Sequence, residues 1–486
     1  MLVGGTASGV GKTTVTLALI ACLRRRGLTV QAFKGGPDFL DTTHHTRISG
    51  RPARNLDTWM LGAEANRDVL RRSARGADAV IAEGMMGLFD GKSGSTETGS
   101  SAEVAKLLRL PVVLVLDCGS SARSVAAVVL GFERFDPELP LAGVILNRVA
   151  GERHYAMLRE AIEGACRTPV LGWLPREPSI AIPERHLGLY AADGMGADGT
   201  LEGARDEAAA LEAQIDTLAR MAEAHLDVDR ILELTCGLNV DEGASAALAV
   251  TPSPEVSSKL RLGVARDRAF SFYYEDNLDL LREQGVEVVA FSPTYDRELP
   301  AGLDGLYLGG GYPELEAERL AGNVTMLEQV RELAARNGVI YAECGGMIYL
   351  ARTLRTLDGR IHGMAGVLPL AMEMTPRLVD FGYVDVEFTR DCLLGPQGTT
   401  IRGHSFHTSR ISSGLEGENG EQREMRTSYR VRFSLSGKEQ SEGFARGKVL
   451  ASYAHLHFGA NPAVVPHLIE EMWRAREARR VEVVRA

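Results

Sequence analysis

Cys344 lies between an apolar, strand-like run and two glycines, in the stretch YAECGGMIYL. A buried structural thiol does not need Gly345 and Gly346 beside it, whereas a nucleophile on a sharp strand-to-helix turn does. A thiol at a helix N-terminus has a lowered pKa, which raises the fraction of reactive thiolate. The pattern therefore predicts a nucleophilic cysteine with a lowered thiol pKa.

A glycine-rich turn and a histidine could complete this thiol site. The stretch GLYLGGGYPEL would direct backbone N–H groups of Gly310 and Gly311 toward a developing oxyanion. The base must come from elsewhere in the chain, and ASYAHLHFGANP supplies His455 and His457. Alternate residues of a strand point to opposite faces, so only one can face the thiol, and we assign the base to His455.

Two further histidines, His404 and His407, lie in the stretch RGHSFHTS. Histidines near glycine could contact an anionic or metal-bearing substrate, and we include both as candidate substrate residues. They could equally only pack and hydrogen-bond within their own domain. The sequence leaves both readings open.

A second glycine-rich turn, GGTASGVGKTT, joins a strand to a helix near the N-terminus. Backbone N–H groups in such a loop can surround phosphate oxygens, Lys12 would reach the β- and γ-phosphates, and the Thr13 hydroxyl would bind Mg²⁺. The strict motif has glycine where Thr6 stands, but the strand–loop–helix context still predicts an ATP-binding loop. The residues assigned to this loop are Gly9, Val10, Gly11, Lys12, Thr13 and Thr14.

A magnesium nucleotide also requires carboxylates, because Mg²⁺ prefers hard oxygen ligands. Four acidic residues follow strand-like runs: Asp38, Asp57, Glu83 and Asp90. Glu83 comes directly after ADAVIA, where a Walker-B-like carboxylate belongs, although any of the four could be an ordinary solvated side chain. Asn147 ends the run GVILN and could read a base edge or simply form a turn.

The bulk properties limit the classes of function. The chain has 486 residues, so two or three domains are expected. Its net charge of −10 gives no indication of a nucleic-acid or anionic-membrane partner. The six cysteines form no CxxC pair, which argues for a reducing compartment. No apolar run reaches transmembrane length, and the N-terminus opens directly into a strand, so we expect a cytoplasmic protein.

Short apolar runs alternate with amphipathic segments through the first half, which indicates a parallel α/β sheet. The runs predicted as buried strands are MLVGG, TVQAFK, ADAVIAEG, PVVLVLD, LAGVILN and TPVLGWL. A second α/β pattern follows a stretch rich in Ala, Ser and Pro. Residues 412–443 are polar and gapped, which predicts an exposed hairpin or loop. The predicted organisation is a first domain over 1–237, a linker over 238–259, a second domain over 260–475 and a C-terminal tail over 476–486.

The motifs occur together in a recognisable order. The P-loop variant is followed by KGGPDFLD, VIAEGMMGLFDG, LYLGGGYPEL, YAECGGMIYL, GHSFHTS and SYAHLHFGANP. In this set the chain resembles the cobyrinic acid a,c-diamide synthase family over about residues 1 to 470. The first half is also similar to dethiobiotin synthetase, and the second resembles class I glutamine amidotransferase domains. The resemblance implies a P-loop NTPase-type parallel sheet followed by an α/β amidotransferase domain.

The resemblance also implies a reaction. ATP with Mg²⁺ would phosphorylate the a and c acetate carboxylates of cobyrinic or hydrogenobyrinic acid, and ammonia from glutamine would displace the phosphate, in cobalamin synthesis. Carried over by position, the resemblance implies that Lys12 and Thr13 bind ATP and Mg²⁺ and that Asp57 and Glu83 are magnesium ligands. It places Asp38 and Asp90 near the reacting carboxylate, and Leu40 and Asp41 on the substrate. It also implies that Cys344 and His455 form the glutaminase pair.

The chain departs from the family pattern in two stretches. Thr42 and Thr43 stand where a proline is usual, and Ser405 and Thr408 stand where Glu and Tyr are common. Because both stretches could touch the macrocycle, sirohydrochlorin, nickel-sirohydrochlorin and siroheme remain alternative tetrapyrrole substrates.

The third carboxylate of class I enzymes usually lies two residues after the histidine, where this chain has His457, so a Cys344–His455 dyad is predicted. A P-loop switch ATPase with a non-catalytic amidotransferase-like domain is the alternative from another class. The intact ECGG and HLHF stretches argue against it. The sequence leaves the oligomeric state open, with a homodimer as one expectation.

Overall fold

A computed structural model of the chain describes residues 1–176, 201–235, 259–413 and 425–485. The chain divides into two compact units, one formed by Met1–Leu187 with Glu207–Ala247 and the other by Gly188–Asp206 with Leu248–Ala486. The predicted linker lies, except for Lys259, outside the described residues, so its boundaries remain a prediction.

The first unit contains a parallel sheet. Its strands in the described residues are β1 (Leu2–Gly5), β2 (Val30–Gly35), β3 (Arg54–Leu56), β4 (Ala79–Glu83), β5 (Val112–Asp117), β6 (Leu141–Val149) and β7 (Val170–Pro175). They are ordered β3-β2-β4-β1-β5-β6-β7, and every pairing is parallel. The helices are α1 (Lys12–Arg25), α2 (Leu40–Ser49), α3 (Thr58–Ser73), α4 (Ser101–Leu108), α5 (Ser124–Phe135), α6 (Glu152–Glu163), α7 (Leu201–His225) and α8 (Val228–Thr235).

This sheet confirms the predicted parallel α/β pattern, since each of the six predicted runs forms a strand. The strand β3 was missed because three residues are too short for a recognisable apolar run. Helix α1 is buried along most of its length, and its apolar residues pack with those of β1, β2 and α7 in one core cluster. The carboxyl ends of the parallel strands share one edge, which brings the P-loop and the residues after β2, β4, β5 and β6 together.

The second unit contains a mixed sheet and a smaller one. Its strands are β8 (Arg261–Ala265), β9 (Glu287–Phe291), β10 (Gly305–Leu308), β11 (Val339–Glu343), β12 (Thr353–Arg355), β13 (Ile361–Gly363), β14 (Ala371–Met374), β15 (Asp380–Phe388), β16 (Thr400–His407), β17 (Ser409–Ser413), β18 (Arg426–Phe433), β19 (Glu439–Arg446), β20 (Val449–Ser452) and β21 (His455–Leu456). The helices are α9 (Glu275–Glu283), α10 (Ala317–Gly322), α11 (Val324–Ala335), α12 (Gly345–Leu350) and α13 (Val464–Arg485).

The larger sheet, as far as the described residues go, has the order β21-β16-β15-β18-β19-β20-β11-β10-β8-β9, and β13-β12-β14-β17 form the smaller one. The five neighbouring strands β20, β11, β10, β8 and β9 pair in parallel. The pairings among β20, β19, β18, β15, β16 and β21, on the other side of the sheet, are antiparallel. Alternate residues of β10 and β11 enter two separate core clusters, one holding Leu306 and Ile340 and the other Tyr307 and Tyr341. The central strands are therefore buried on both faces, as expected for a parallel α/β core.

The structure bears on two further predictions about segments of the second unit. The stretch 412–443 was expected to be an exposed hairpin or loop. Its described part does form a hairpin from β18 and most of β19, but this hairpin pairs inside the larger sheet and is only partly exposed. Tyr429 and Val431 are buried there, because every second residue of β18 faces the core although its neighbours are polar. The boundary between the second domain and the C-terminal tail stays a prediction. In the structure α13 runs from Val464 to Arg485, and Arg476 lies 3.5 Å from Asp304.

Among the helices of the described residues, we find none with both the length and the apolar character of a membrane span.

Candidate active sites

The P-loop connects the end of β1 to the start of α1. Gly9 and Gly11 have φ values of 77° and 96°, in the left-handed region that glycine adopts without steric cost. A Cβ on Gly11 would lie 2.0 Å from Nδ2 of Asn147. Glycine is thus required at position 11 by both backbone conformation and packing.

Lys12 is folded across the loop. Its ammonium donates to the carbonyl of Ala7 at 3.1 Å and to that of Met86, in the segment after β4. Burial lowers the pKa of Lys12, and the charge of Lys34 lowers it further. The loop and the segment after β4 therefore meet at the ammonium that was predicted to bind phosphates.

Glu83 is the centre of a buried polar cluster. Its Oε1 accepts from the Thr13 hydroxyl at 2.7 Å and lies 2.9 Å from Nζ of Lys34, while its Oε2 lies 2.7 Å from Nε2 of His45. Burial alone would raise the pKa of Glu83, but Lys34 and His45 outweigh it and hold that pKa low. Glu83 is therefore an ionised carboxylate with a fixed orientation beside Thr13.

Lys34 and Asp41 extend this cluster. Burial alone would lower the pKa of Lys34, but Glu83 and Asp41 more than offset this effect, so the pKa is raised. Asp41 lies 2.5 Å from the same ammonium, and burial together with Glu83 raises its pKa to about 6. Lys34 and His45 were not among the predicted site residues, although Lys34 belongs to the stretch KGGPDFLD.

The pair of Thr13 and Glu83 fits a magnesium ion. Mg²⁺ usually takes only one or two protein oxygens and completes its shell with phosphate oxygens and water. A hydroxyl and an ionised carboxylate within hydrogen-bond distance, next to the phosphate-binding loop, are such a pair. Of the predicted ligands, the structure brings these two together.

The other three carboxylates stabilise turns. Asp57 caps α3 by accepting from the N–H of Met60 at 2.7 Å. Asp38 accepts from the N–H groups of Leu40 and Asp41 at the start of α2, at 2.8 and 3.1 Å, and Asp90 accepts from the N–H of Gly87 at 2.8 Å. For Asp57 the contacts observed are those of a helix cap rather than of a magnesium ligand, and its predicted role stays a prediction.

Asn147 and Arg148 support the P-loop from β6. The amide of Asn147 donates to the carbonyl of Val10 at 2.8 Å, so this nitrogen is bound to the loop rather than turned toward a nucleotide base. Arg148, in the left-handed region with φ 58°, donates to the carbonyl of Gly9 at 2.9 Å and pairs with Asp117. Arg148 was not among the predicted site residues, because a basic residue at a strand end carries no distinctive signal.

The thiol lies on a strained turn between β11 and α12. Cys344 has φ 46° and ψ −101°, a conformation that is costly for a non-glycine residue. A Cβ on Gly346 would lie 2.2 Å from the carbonyl oxygen of Leu308, and one on Gly345 would lie 3.1 Å from the backbone nitrogen of Gly311. The two glycines are needed because the turn packs directly against the end of β10, which is the geometry predicted for a nucleophile.

The expected lowering of the thiol pKa is wrong for this structure. Burial, followed by the negative charge of Glu314, raises the pKa of Cys344 to about 12, and the N–H of Gly345 offsets this only in part. The side chain is 6% exposed, and its Sγ contacts the carbonyl of Phe406 at 3.8 Å. Desolvation therefore outweighs the helix N-terminus, and the thiol requires a base to become a thiolate.

The glycine turn after β10 differs in detail from the prediction. The N–H of Gly310 donates to the carbonyl of Phe272 at 3.2 Å, so it is already engaged. The backbone nitrogen of Gly311 faces Gly345, next to the thiol. The N–H groups of Gly311 and Gly345 are accordingly the oxyanion donors that this geometry favours.

His455 lies against the same turn. A Cβ on Gly310 would be 2.4 Å from Cε1 and 3.3 Å from Nε2 of His455, so the imidazole covers this glycine. Burial, followed by the charges of His404 and His407, lowers the pKa of His455 well below its usual value, which favours the neutral form. A neutral imidazole can accept a thiol proton. His457 instead accepts from the N–H of Gly459 at 3.1 Å, in the next turn.

His404 and His407 are buried in the second unit. His404 pairs with His455 across β16 and β21, their rings stack with centroids 5.0 Å apart, and Nδ1 of His404 lies 2.9 Å from Oη of Tyr274. His407 stacks on Tyr453 with centroids 3.6 Å apart. These contacts favour the packing interpretation over direct substrate contact.

A P-loop sheet in one unit and a strand–nucleophile–helix turn in the other define a class of protein, in which a nucleotide-binding domain is joined to a glutamine amidotransferase domain. Comparison with known families agrees. Residues 1–189 match the CobQ/CobB/MinD/ParA nucleotide binding domain, and residues 261–463 match the CobB/CobQ-like glutamine amidotransferase domain.

Proteins named cobyrinate a,c-diamide synthase are similar over nearly the whole chain. The protein from Syntrophotalea carbinolica is 43% identical over 97% of this chain and 98% of its own length. Those from Listeria monocytogenes and Salmonella typhimurium are 40% and 41% identical, each over 96% of this chain and over 98% and 96% of their own lengths. The chain belongs to the cobyrinate a,c-diamide synthase family, and the predicted fold class and ligase class are confirmed.

Proposed function

We propose that this protein uses ATP and glutamine to convert the a and c acetate carboxylates of cobyrinic acid to amides in cobalamin biosynthesis. The observation that carries the proposal is that one chain, similar end to end to enzymes of that name, has both a P-loop with Lys12, Thr13 and Glu83 and a Cys344 turn with His455. Each site supplies one half of the chemistry.

At the thiol site, Nε2 of His455 takes the Sγ proton of Cys344, and the thiolate attacks the side-chain amide carbon of glutamine. The N–H groups of Gly311 and Gly345 stabilise the oxyanion. The carbon–nitrogen bond then breaks, His455 returns the proton to the leaving nitrogen, and ammonia and a γ-glutamyl thioester result. Water hydrolyses the thioester to glutamate and restores the thiol.

At the P-loop site, the chain binds the phosphates through loop N–H groups and Lys12, and Thr13 and Glu83 would hold Mg²⁺. The ion supplies charge neutralisation on the phosphates. The substrate carboxylate attacks the γ-phosphorus, ADP leaves, and ammonia displaces phosphate from the acyl phosphate to give the amide. Lys34 and His45 keep the Glu83 carboxylate in place throughout.

The departures from the family pattern weigh little against a corrin substrate. Ser405 is fully buried, so a side chain there does not reach a macrocycle. The hydroxyls of Thr42 and Thr43 both donate to the carbonyl of Phe39, at 2.8 and 2.9 Å, inside the first turn of α2. These residues serve their own elements, and they do not favour sirohydrochlorin or siroheme.

The test is mass spectrometry of the products formed from ATP, glutamine and a panel of acids: cobyrinic acid, hydrogenobyrinic acid, sirohydrochlorin, nickel-sirohydrochlorin and siroheme. We expect two carboxyl-to-amide conversions on cobyrinic acid, with glutamate and ADP formed in step. Conversion of a sirohydrochlorin alone would keep the mechanism and reject the substrate. ATP hydrolysis without amidation of any acid would reject the proposal and support a switch ATPase.

A further inference from the structure

The buried carboxylate of Glu343 contacts the base of the thiol site. Glu343 is the last residue of β11 and immediately precedes Cys344. Its Oε1 accepts from the N–H of Leu456 at 3.0 Å, and its Oε2 lies 3.8 Å from Nδ1 of His455. One carboxylate therefore contacts both the backbone and the imidazole of the short strand β21.

The carboxylate is itself held in position. The hydroxyl of Tyr341 donates to Oε1 at 2.6 Å, and that of Tyr307 donates to Oε2 at 3.0 Å. Asn277 links the same elements by donating to the carbonyl of Leu456 at 2.8 Å. A carboxylate with this many donors has one orientation, and that orientation points Oε2 at the ring nitrogen opposite to the one that serves as base.

The chemistry needs a negative group at this place. When Nε2 of His455 takes the thiol proton, a positive imidazolium forms in a buried site that also contains His404 and His407, which disfavours it. The Oε2–Nδ1 distance of 3.8 Å is longer than a hydrogen bond, so in this structure the carboxylate acts on the imidazolium through its charge. Catalytic contacts often shorten when substrate binds, and a shortening here would give the Nδ1–H···O arrangement of hydrolase triads. The sequence predicted a dyad because this carboxylate usually lies two residues after the histidine in class I enzymes, where His457 stands here.

We propose that Glu343 is the positioning carboxylate of the thiol site, which orients His455 through Nδ1 and stabilises its protonated form. The triad carboxylate thus comes from the residue before the nucleophile and not from the histidine segment. His457 belongs to a different set of contacts, with Nε2 3.9 Å from Asp276. The inference deepens the proposed function and rests on its glutaminase half-reaction.

The charges around Glu343 give a measurable pH dependence. Burial raises its pKa to about 7, although the hydroxyls of Tyr341 and Tyr307 and the N–H of Leu456 partly oppose this rise. The other titratable groups that face it are Cys344, His455 and the tyrosines Tyr273, Tyr307, Tyr341 and Tyr429. Burial raises the pKa values of the thiol and of the four tyrosine hydroxyls and lowers that of the His455 imidazole, so all of these groups stay neutral near pH 7. Glutaminase kcat should therefore rise as Glu343 ionises near neutral pH.

The experiment compares Glu343→Gln with the matched control Glu442→Gln in the full-length protein. Glu442 is also a buried carboxyl of the second unit, but it accepts from the Ser452 hydroxyl at 2.7 Å and the N–H of Tyr453 at 2.9 Å. For Glu343→Gln we expect a kcat for glutamine hydrolysis about 10²-fold lower, at the low end of a general base's contribution, with KM unchanged. Its pH profile should lose the rise near neutrality. Glu442→Gln removes a charge that acts on the thiol but no contact with His455, so it should keep that rise and change kcat far less.

Thermal melting separates positioning from a purely structural role. A carboxyl whose folded-state pKa is raised binds its proton more tightly when folded, so its contribution to stability falls as pH rises from 4.5 to about 7. Replacing it by Gln removes this loss, so Glu343→Gln should melt at or above the wild-type temperature at about pH 8. A structural carboxylate would instead give a lower melting temperature together with lower activity.

The outcomes are distinct. An unchanged kcat and pH profile in Glu343→Gln would overturn the inference, and so would equal losses of activity in both variants or a lowered melting temperature that accounts for the loss. If the wild-type protein itself fails to hydrolyse glutamine, the proposed function is overturned before the variants are compared.

Discussion

The thiol of Cys344 should be largely protonated and slow to alkylate in the free protein. Burial raises its pKa from 9.0 to about 12. Well below the pKa, each unit changes the thiolate fraction tenfold, so at about pH 7.5 this fraction should be about 10³-fold smaller than for an ordinary thiol. Alkylation by iodoacetamide at this residue should be correspondingly slower, although the greater nucleophilicity of a thiolate with a high pKa offsets part of this factor.

The assay measures how fast iodoacetamide modifies Cys344 in the protein at several pH values between about 7 and 10. Mass spectrometry of the peptide that contains Cys344 gives the modified fraction at each time. Because the pKa is about 12, the rate should rise tenfold per pH unit over this whole range without levelling off. This slope does not depend on steric access, which only scales the rate. The same peptide in guanidinium-unfolded protein is the control and should level off near pH 9. A plateau near neutrality in the folded protein would refute the reasoning that desolvation dominates at this turn.

Four substitutions test the division of labour between the two sites and the packing around them. Cys344→Ala should lower glutamine-driven amidation by more than about 10³-fold but leave ammonium-driven amidation intact, whereas Lys12→Ala should abolish both. If Cys344→Ala lost glutamine-driven and ammonium-driven amidation equally, the idea of two separate half-reactions would be contradicted. Glu83→Gln should destabilise the first unit by about 3–5 kcal/mol in urea unfolding, since it removes one partner of a buried ion pair, and an unchanged midpoint would contradict the pairing. Gly346→Ala should cost about 1–3 kcal/mol or more and reduce glutaminase activity, because its Cβ would lie 2.2 Å from the carbonyl of Leu308. Wild-type melting and activity in Gly346→Ala would show that the turn can relax.

Local patterns were sufficient for the fold class and for part of each site. Strand-to-helix turns with glycine have few conformational solutions, so GVGKTT and ECGG indicated a phosphate loop and a nucleophile without any knowledge of the rest of the chain. The apolar runs predicted the parallel strands because strands buried on both faces have a distinctive composition. Such features depend on residues that are neighbours in the chain.

Properties that depend on distant residues were decided by packing. The pKa of Cys344 depends on how deeply the turn is buried, and the helix N-terminus alone predicted the wrong direction. The pairing of Glu83 with Lys34 and His45, and of Glu343 with His455, joins segments 38 to 112 residues apart, which no spacing rule connects. Sequence shows which side chains could do chemistry, but only the folded chain decides which of them meet, because burial and distance are properties of the assembled core.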